Sequence, residues 1–198
     1  MNGKHWILVV LWIAYYFLHS LLAATSVKDW LRSKMGKYYR YYRLGYTIFA
    51  ALTLLALLAY QYSFLSQEVI HSNAVKYISA ILLVLPGLAI MIISVGKYFL
   101  LLSGVRSLYT SVATPELKVN GIHRYVRHPL YSGTILFVTG LFFTFPTLSN
   151  LIAVVLLIAY VLIGLIFEER KLVKEFGQSY IQYRSKVPKL IPSFRSRK

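Results

Sequence analysis

The chain has 198 residues, 58% of them apolar and 16% aromatic, and carries 22 Lys and Arg against 6 Asp and Glu for a formal net charge of +16. A mean hydropathy of +0.59 exceeds what a water-soluble domain can show to solvent, so a soluble globular protein is excluded; the charges sit in blocks between long apolar runs, as in a multi-span membrane protein. The lack of cysteine excludes a disulfide framework, a thiolate metal site and a cysteine nucleophile. With so few acids, any pair of them is a place to look for chemistry.

A helix needs roughly 17 to 25 apolar residues to cross a hydrocarbon core of ~30 Å. Three stretches meet that length, at residues 6–24, 44–65 and 77–102. Two more, 130–145 and 151–167, are joined by Pro146-Thr147-Leu148-Ser149-Asn150 and predict a helical hairpin, with Ser149 or Asn150 as N-cap of the returning arm. At ~1.5 Å per residue the first arm is about 24 Å long, so the hairpin turns within the outer leaflet or just reaches its surface. A cleaved signal peptide is the rival reading of the first stretch, since Ala23-Ala24-Thr25-Ser26 offers small residues, but the positive charge follows the apolar run instead of preceding it.

Lys and Arg collect in cytoplasmic loops. Here they lie between the first and second stretches, between the third and fourth, and after Glu168, leaving only Lys4 and Lys76 for the opposite side, with Lys97 able to snorkel from near the inner end of the third stretch. The expectation is an all-α integral membrane protein of five transmembrane helices, one domain over residues 1–198, in the cell inner membrane with its N-terminus outside and its C-terminus in the cytoplasm. No internal repeat is visible.

Residues 28–43, KDWLRSKMGKYYRYYR, mix cations with Trp and Tyr at a membrane boundary, where both favour the headgroup layer. Flanking by two spans favours lipid as their partner over nucleic acid. Residues 167–176 continue the fifth helix, Gly177 is a natural stop, and Ser179 to Lys186 predict a further short helix ended by Pro188 and Pro192, together a small cytoplasmic helical cap.

The third connection, residues 103–128, is long for a compact protein and ends in GIHRYVRHPLYSG, Gly121 to Gly133. Pro129 suits the first position of the fourth helix, and His128 before it is pushed toward an extended backbone. The helix N-terminus with Arg124 and Arg127 offers an anion site. At the other foot of the hairpin stand Glu168 and Glu169, a carboxylate pair for a cation, unless they merely pair with Arg170, Lys171 or Lys174 along the helix. An amino-acid zwitterion joined to a nucleoside suits such a pocket.

The run Gly121-x-x-Arg124-Tyr125-Val126-Arg127-His128-Pro129-x-Tyr131-x-Gly133, followed by Glu168-Glu169-x-x-Leu172-x-x-x-Phe176-Gly177-x-x-Tyr180-x-x-Tyr183-x-x-x-Val187, resembles the isoprenylcysteine carboxyl methyltransferase and phospholipid methyltransferase families over residues 121–192. The N-terminal part, with His19-Ser20 and Tyr42-Arg43-Leu44, is more similar to a bacterial branch that includes methanethiol S-methyltransferases and a denitrification-associated membrane protein. The resemblance implies S-adenosylmethionine as cofactor, with Gly121, His123, Tyr125, Arg127, His128, Pro129, Tyr131, Glu168 and Glu169 as its binding residues and no metal. His123 departs from the aromatic residue found in many relatives. The glycine-rich strand-turn-helix fingerprint of a soluble dinucleotide domain is absent from the sequence.

Methyl transfer from a sulfonium is an in-line displacement that asks mainly for alignment and a dry site. A carboxylate acceptor needs no general base, whereas a thiol or amine benefits from one, for which His19, His123 and His128 are candidates; Arg127, His128 and His19 are the candidate catalytic residues. The expected acceptor is lipophilic or small and membrane-permeant, entering sideways from the bilayer past His19, Tyr98 and Tyr131. The competing class is a non-enzymatic membrane protein, a haem or quinone carrier or a transporter, but bis-histidine haem needs two histidines on facing spans and only His19 lies well inside one.

Overall fold

The computed structural model describes residues 2–96 and 117–192. The end of the third apolar stretch with Tyr98, and the first half of the third connection, lie outside the described residues. Every regular element among those described is helical.

Helix α1, Gly3–Ala23, starts at Asn2, whose side chain accepts from the His5 amide while the His5 ring bonds the Asn2 amide. Helix α2, Thr25–Met35, stops at Gly36, where φ is +50°. A 3-10 turn, Gly36–Tyr41, leads into α3, Tyr42–Tyr62. In this juxtamembrane segment Arg32 lies 5.0 Å over the Tyr39 ring and Arg40 4.7 Å over Tyr41, while Trp30 and Tyr38 are largely exposed, the amphipathic surface that a headgroup layer accepts. Helix α4, Asn73–Gly96, is capped by Ser72 and carries a π-helical turn at Ala80–Val84. A 3-10 turn, Gly121–Arg124, precedes α5, Pro129–Thr144, and α6 runs from Leu148 to Lys186 with non-helical backbone at Gly177 (φ 55°, ψ −130°).

Gly177 therefore interrupts the last helix where the sequence places its stop, and the expected helix of residues 179–186 is the part of α6 beyond it. The cap of α6 differs from expectation. Thr147 Oγ1 accepts from the Asn150 amide, so Thr147 is the N-cap and Ser149 and Asn150 lie inside the first turn, where the Asn150 side chain is engaged by Gln61.

Among the described residues, four helical stretches are long and apolar enough to cross a membrane, Gly3–Ala23, Thr25–Tyr62, Asn73–Gly96 and Leu148–Lys186. The 16-residue α5 is about 24 Å long, short of a ~30 Å core. Val10, Phe17, Leu52, Leu55, Ile92 and Ile93 are each more than half exposed, an inside-out pattern that lipid, not water, stabilises. The chain is an integral membrane protein.

The chain divides into two compact units. In the first, with described residues 2–69 and 147–156, a buried polar relay joins the helices: Trp12 Nε1 donates to Gln61 Oε1 at 3.0 Å, and Gln61 Nε2 donates to Asn150 Oδ1 at 2.7 Å. Ser66 Oγ accepts from the Ser149 amide at 2.9 Å. With no water competing in hydrocarbon, such bonds hold helices together where apolar contact with lipid is equally favourable.

In the second unit, with described residues 70–96, 117–146 and 157–192, α4 and α5 approach through glycines. A Cβ added at Gly87 would stand 2.5 Å from the Phe137 backbone nitrogen, and one at Gly133 3.0 Å from the Gly87 carbonyl oxygen. The absence of side chains lets the two backbones meet, and this contact fixes the base from which the 121–128 loop emerges.

Candidate active site

The site is built on the second unit. Gly121 opens the loop in a left-handed conformation, φ +64°, and Pro129 occupies the first turn of α5, so both ends of the 121–128 segment are conformationally set. Val126, Arg127, His128 and Pro129 are all buried. The chain end holds them there: the Arg127 amide donates to the Pro188 carbonyl at 2.9 Å, the His128 amide to the Lys189 carbonyl at 3.1 Å, and Ser132 Oγ to the Leu190 carbonyl at 2.7 Å.

The side chains complete the lock. Arg127 Nε and one terminal nitrogen form a two-pronged bond to the Glu169 carboxylate, both at 3.0 Å, and its other terminal nitrogen donates to the carbonyls of Arg184, at 2.9 Å, and Val187. Four of the five guanidinium N–H donors are thus taken by the protein. Glu169 Oε1 also accepts from His128 Nε2 at 2.7 Å and from the Tyr180 hydroxyl at 2.6 Å. Burial by itself would raise the Glu169 carboxyl, but the bonds from Tyr180, His128 and Arg127 and the Arg127 charge outweigh it and hold the pKa down at about 2. The same burial, with the Glu169 bond, raises the Tyr180 phenol well above its ordinary value.

Because a carboxylate only accepts, His128 Nε2 carries the hydrogen of its bond to Glu169. Its Nδ1 lies 3.9 Å from Glu168 Oε1, beyond hydrogen-bond range. Glu168 contrasts with its neighbour. Its side chain is 39% exposed, yet its Oε2 is buried without a hydrogen-bond partner. Tyr131 stacks on the His128 ring at 5.7 Å, and Glu168 is the carboxylate neighbour of its hydroxyl. Below the loop, His123 Nδ1 faces the Arg127 carbonyl at 3.2 Å while the Tyr183 hydroxyl donates to the His123 carbonyl at 2.7 Å; burial lowers the His123 pKa, partly offset by the Arg127 carbonyl.

Of the residues singled out from sequence, Arg127, His128, Glu169, Glu168 and Tyr131 stand together, with Pro129 and His123 supporting the loop. Tyr125 is largely exposed. His19 belongs to the first unit, where the Tyr46 hydroxyl lies 3.0 Å from its ring. The glutamates do not pair along their own helix, since Glu169 reaches across to Arg127. Sequence reasoning left out Tyr180, although it falls within the motif, and the carbonyls of Arg184, Val187, Pro188 and Lys189, for which side-chain chemistry carries no signal.

An α-helical membrane protein with a buried ionic cluster at the foot of a helical hairpin, closed by its own C-terminal segment, is the class that fold and site define. Residues 75–179 match the phospholipid methyltransferase family model, and the chain belongs to that family. It is 31% identical over 187 residues to methanethiol S-methyltransferase 1 of Bradyrhizobium diazoefficiens, covering 90% of this chain and 63% of the relative. Against a methanethiol S-methyltransferase of Crocosphaera subtropica the identity is 30%, covering 88% and 69%. Protein-S-isoprenylcysteine O-methyltransferase of Schizosaccharomyces pombe is 40% identical over 80 residues, covering 38% and 33%. The chain spans between about a third and two thirds of the length of these relatives. No solved structure matches.

Proposed function

We propose that the protein is an S-adenosylmethionine-dependent methyltransferase acting at the cytoplasmic face of the membrane on a lipophilic or small membrane-permeant acceptor. The observation that carries this reading is Glu168, whose Oε2 is buried with no donor in hydrogen-bond geometry and the Tyr131 hydroxyl as polar neighbour, set beside His128 on a scaffold locked by Arg127, Glu169 and Tyr180. A buried carboxylate oxygen without a donor is costly, and a cationic, donor-rich ligand removes that cost. The cofactor, with its ammonium, sulfonium and ribose hydroxyls, fits such an acceptor, and the rings of His128 and Tyr131 offer a flat apolar wall.

When bound, the cofactor supplies an electrophilic methyl group on a sulfonium. Glu168 accepts hydrogen bonds from it. Glu169 acts through His128, holding the imidazole by Nε2 so that Nδ1 faces Glu168, and Arg127 is a positioning residue that ties Glu169 and the chain end to the loop. The two relatives matched over most of this chain are named for methanethiol, and the third for isoprenylcysteine O-methylation. Their names favour a small thiol, for which a histidine would serve as the base that takes the thiol proton; a carboxylate acceptor, which needs no base, is the alternative. Lateral entry from the bilayer, an external N-terminus and a cytoplasmic C-terminus in the cell inner membrane complete the proposal.

The test is cofactor binding to the full chain in nanodiscs by equilibrium dialysis, then methyl incorporation from radiolabelled cofactor into methanethiol, a prenylcysteine analogue or phosphatidylethanolamine. Glu168→Gln should weaken cofactor binding about tenfold or more, as loss of charged hydrogen bonds predicts. Failure of the wild type to bind, or undiminished affinity in Glu168→Gln with the fold intact, refutes the assignment. Reporter fusions after Gln67 and after Lys198 should lie on opposite sides of the membrane.

A further inference from the structure

A cleft of about 670 Å3 opens in the second unit beside the polar cluster. Arg127 and Glu169 meet in its floor and neutralise each other. Its walls are of another kind. Ile166, Arg170 and Val173 come from one stripe of α6, at i, i+4 and i+7. Arg184, beyond the Gly177 break, and Lys189, from the chain end, close the other side.

Arg170, Arg184 and Lys189 are exposed, and among the described residues none of them has a carboxylate within ion-pair distance. Arg170 only overlies the Phe167 ring, at 5.9 Å. Glu169, the one acid among the described residues that line the cleft, is already saturated by Arg127, His128 and Tyr180. Three unneutralised cations therefore face a space whose remaining wall, Ile166 and Val173, is apolar. The apolar run of α6 ends at Phe167 and charges begin at Glu168, so the cleft straddles the level at which a membrane changes from acyl chain to headgroup.

We infer that this cleft binds the phosphodiester of an anionic membrane lipid, with Arg170, Arg184 and Lys189 on the phosphate and Ile166 and Val173 against the glycerol and upper acyl segment. Guanidinium groups bind phosphate oxygens through paired N–H donors, and basic pockets at the headgroup level recognise anionic lipids in this way. A free phosphate would use the cations and leave the apolar wall uncovered. A sulfonium cofactor is repelled by three unpaired positive charges. The cleft shares Arg127 and Glu169 with the cluster but is not lined by Glu168, His128 or Tyr131, and the proposal does not depend on the methyl-transfer reading.

The detergent-solubilised full chain should be titrated with short-chain phosphatidylglycerol, short-chain phosphatidylcholine and inorganic phosphate, with bound ligand counted by native mass spectrometry. One phosphatidylglycerol per chain should be retained, phosphatidylcholine should not, and inorganic phosphate should compete only in large excess. The triple variant Arg170→Gln, Arg184→Gln, Lys189→Gln should lose affinity for phosphatidylglycerol at least tenfold, as removal of three headgroup-level cations predicts. A control that removes three charges from the segment after α1, Arg32→Gln, Lys34→Gln, Lys37→Gln, should keep it. Arg184 and Lys189 serve the lock through their carbonyls, which the substitutions retain; if the triple variant nonetheless loosens the chain end, Arg170→Gln alone gives the reading and should weaken binding severalfold. Equal loss in both triple variants, equal retention of phosphatidylcholine, or displacement by equimolar inorganic phosphate overturns the proposal. So does loss of S-adenosylmethionine binding in the triple variant with phosphatidylglycerol retention unchanged.

Discussion

Arg127→Ala tests whether the C-terminal segment is fastened to the loop by one ionic lock. The substitution removes two charge-assisted bonds to Glu169 and two bonds to the carbonyls of Arg184 and Val187. It leaves Glu169, 6% exposed, with only His128 and Tyr180. Breaking one partner of a buried pair costs about 3–5 kcal/mol; because two donors to Glu169 remain, the lower end applies, about 3 kcal/mol, or roughly a hundredfold in the opening equilibrium. The Arg127 and His128 amides report this directly, since they donate to Pro188 and Lys189 and exchange only when the segment lets go. In Arg127→Ala, the backbone amides of residues 127 and 128 should therefore lose about two orders of magnitude of hydrogen-exchange protection, measured by mass spectrometry in nanodiscs, while the α4–α5 contact keeps its own. Arg127→Lys should recover little, because an ammonium cannot reproduce the planar fork. Wild-type protection in the alanine variant would refute the lock.

The pH dependence follows from Glu169. Its carboxyl is depressed from the ordinary 4.5 to about 2 on folding, so its contribution is complete above about 4.5 and is lost as pH falls toward 2; the thermal midpoint should drop over that window, and Glu169→Gln should flatten the drop. Gly177→Ala places a Cβ on a backbone with φ 55° and ψ −130° and should cost on the order of 1–3 kcal/mol, seen as faster tryptic cleavage after Lys186 and Lys189. Gly87→Ala puts its Cβ 2.5 Å from a backbone atom of Phe137, which cannot yield as a side chain can, and should lower the thermal midpoint by an amount equivalent to about 1–3 kcal/mol. Gly164→Ala, with open space at the same point of the side chain, should leave the midpoint unchanged or raise it slightly.

The apolar helices were legible in the sequence because chain-local properties decide them, whereas α2, in the basic-aromatic segment, carried only the signal of a membrane anchor. Apolar length sets which segments enter a bilayer, Pro129 presets the first turn of α5, and Gly177 is where the last helix breaks, since its backbone conformation disfavours any residue with a Cβ. The site was legible only by residue type and place: Arg127 and His128 at one foot of the hairpin, Glu168 and Glu169 at the other. Which glutamate does what was not. Adjacent residues of a helix point about 100° apart, so the rotation of α6 about its own axis decides that Glu169 turns inward to Arg127 while Glu168 keeps an oxygen with no donor in hydrogen-bond geometry, and packing sets that rotation. Thr147 displaced Ser149 and Asn150 as the cap for a related reason, because Gln61 engages the Asn150 side chain and the Ser149 amide donates to Ser66 across a distance no local pattern encodes. The carbonyls that receive the Arg127 guanidinium belong to every residue alike, and only the return of the chain end past the loop makes those of Arg184 and Val187 the ones within reach.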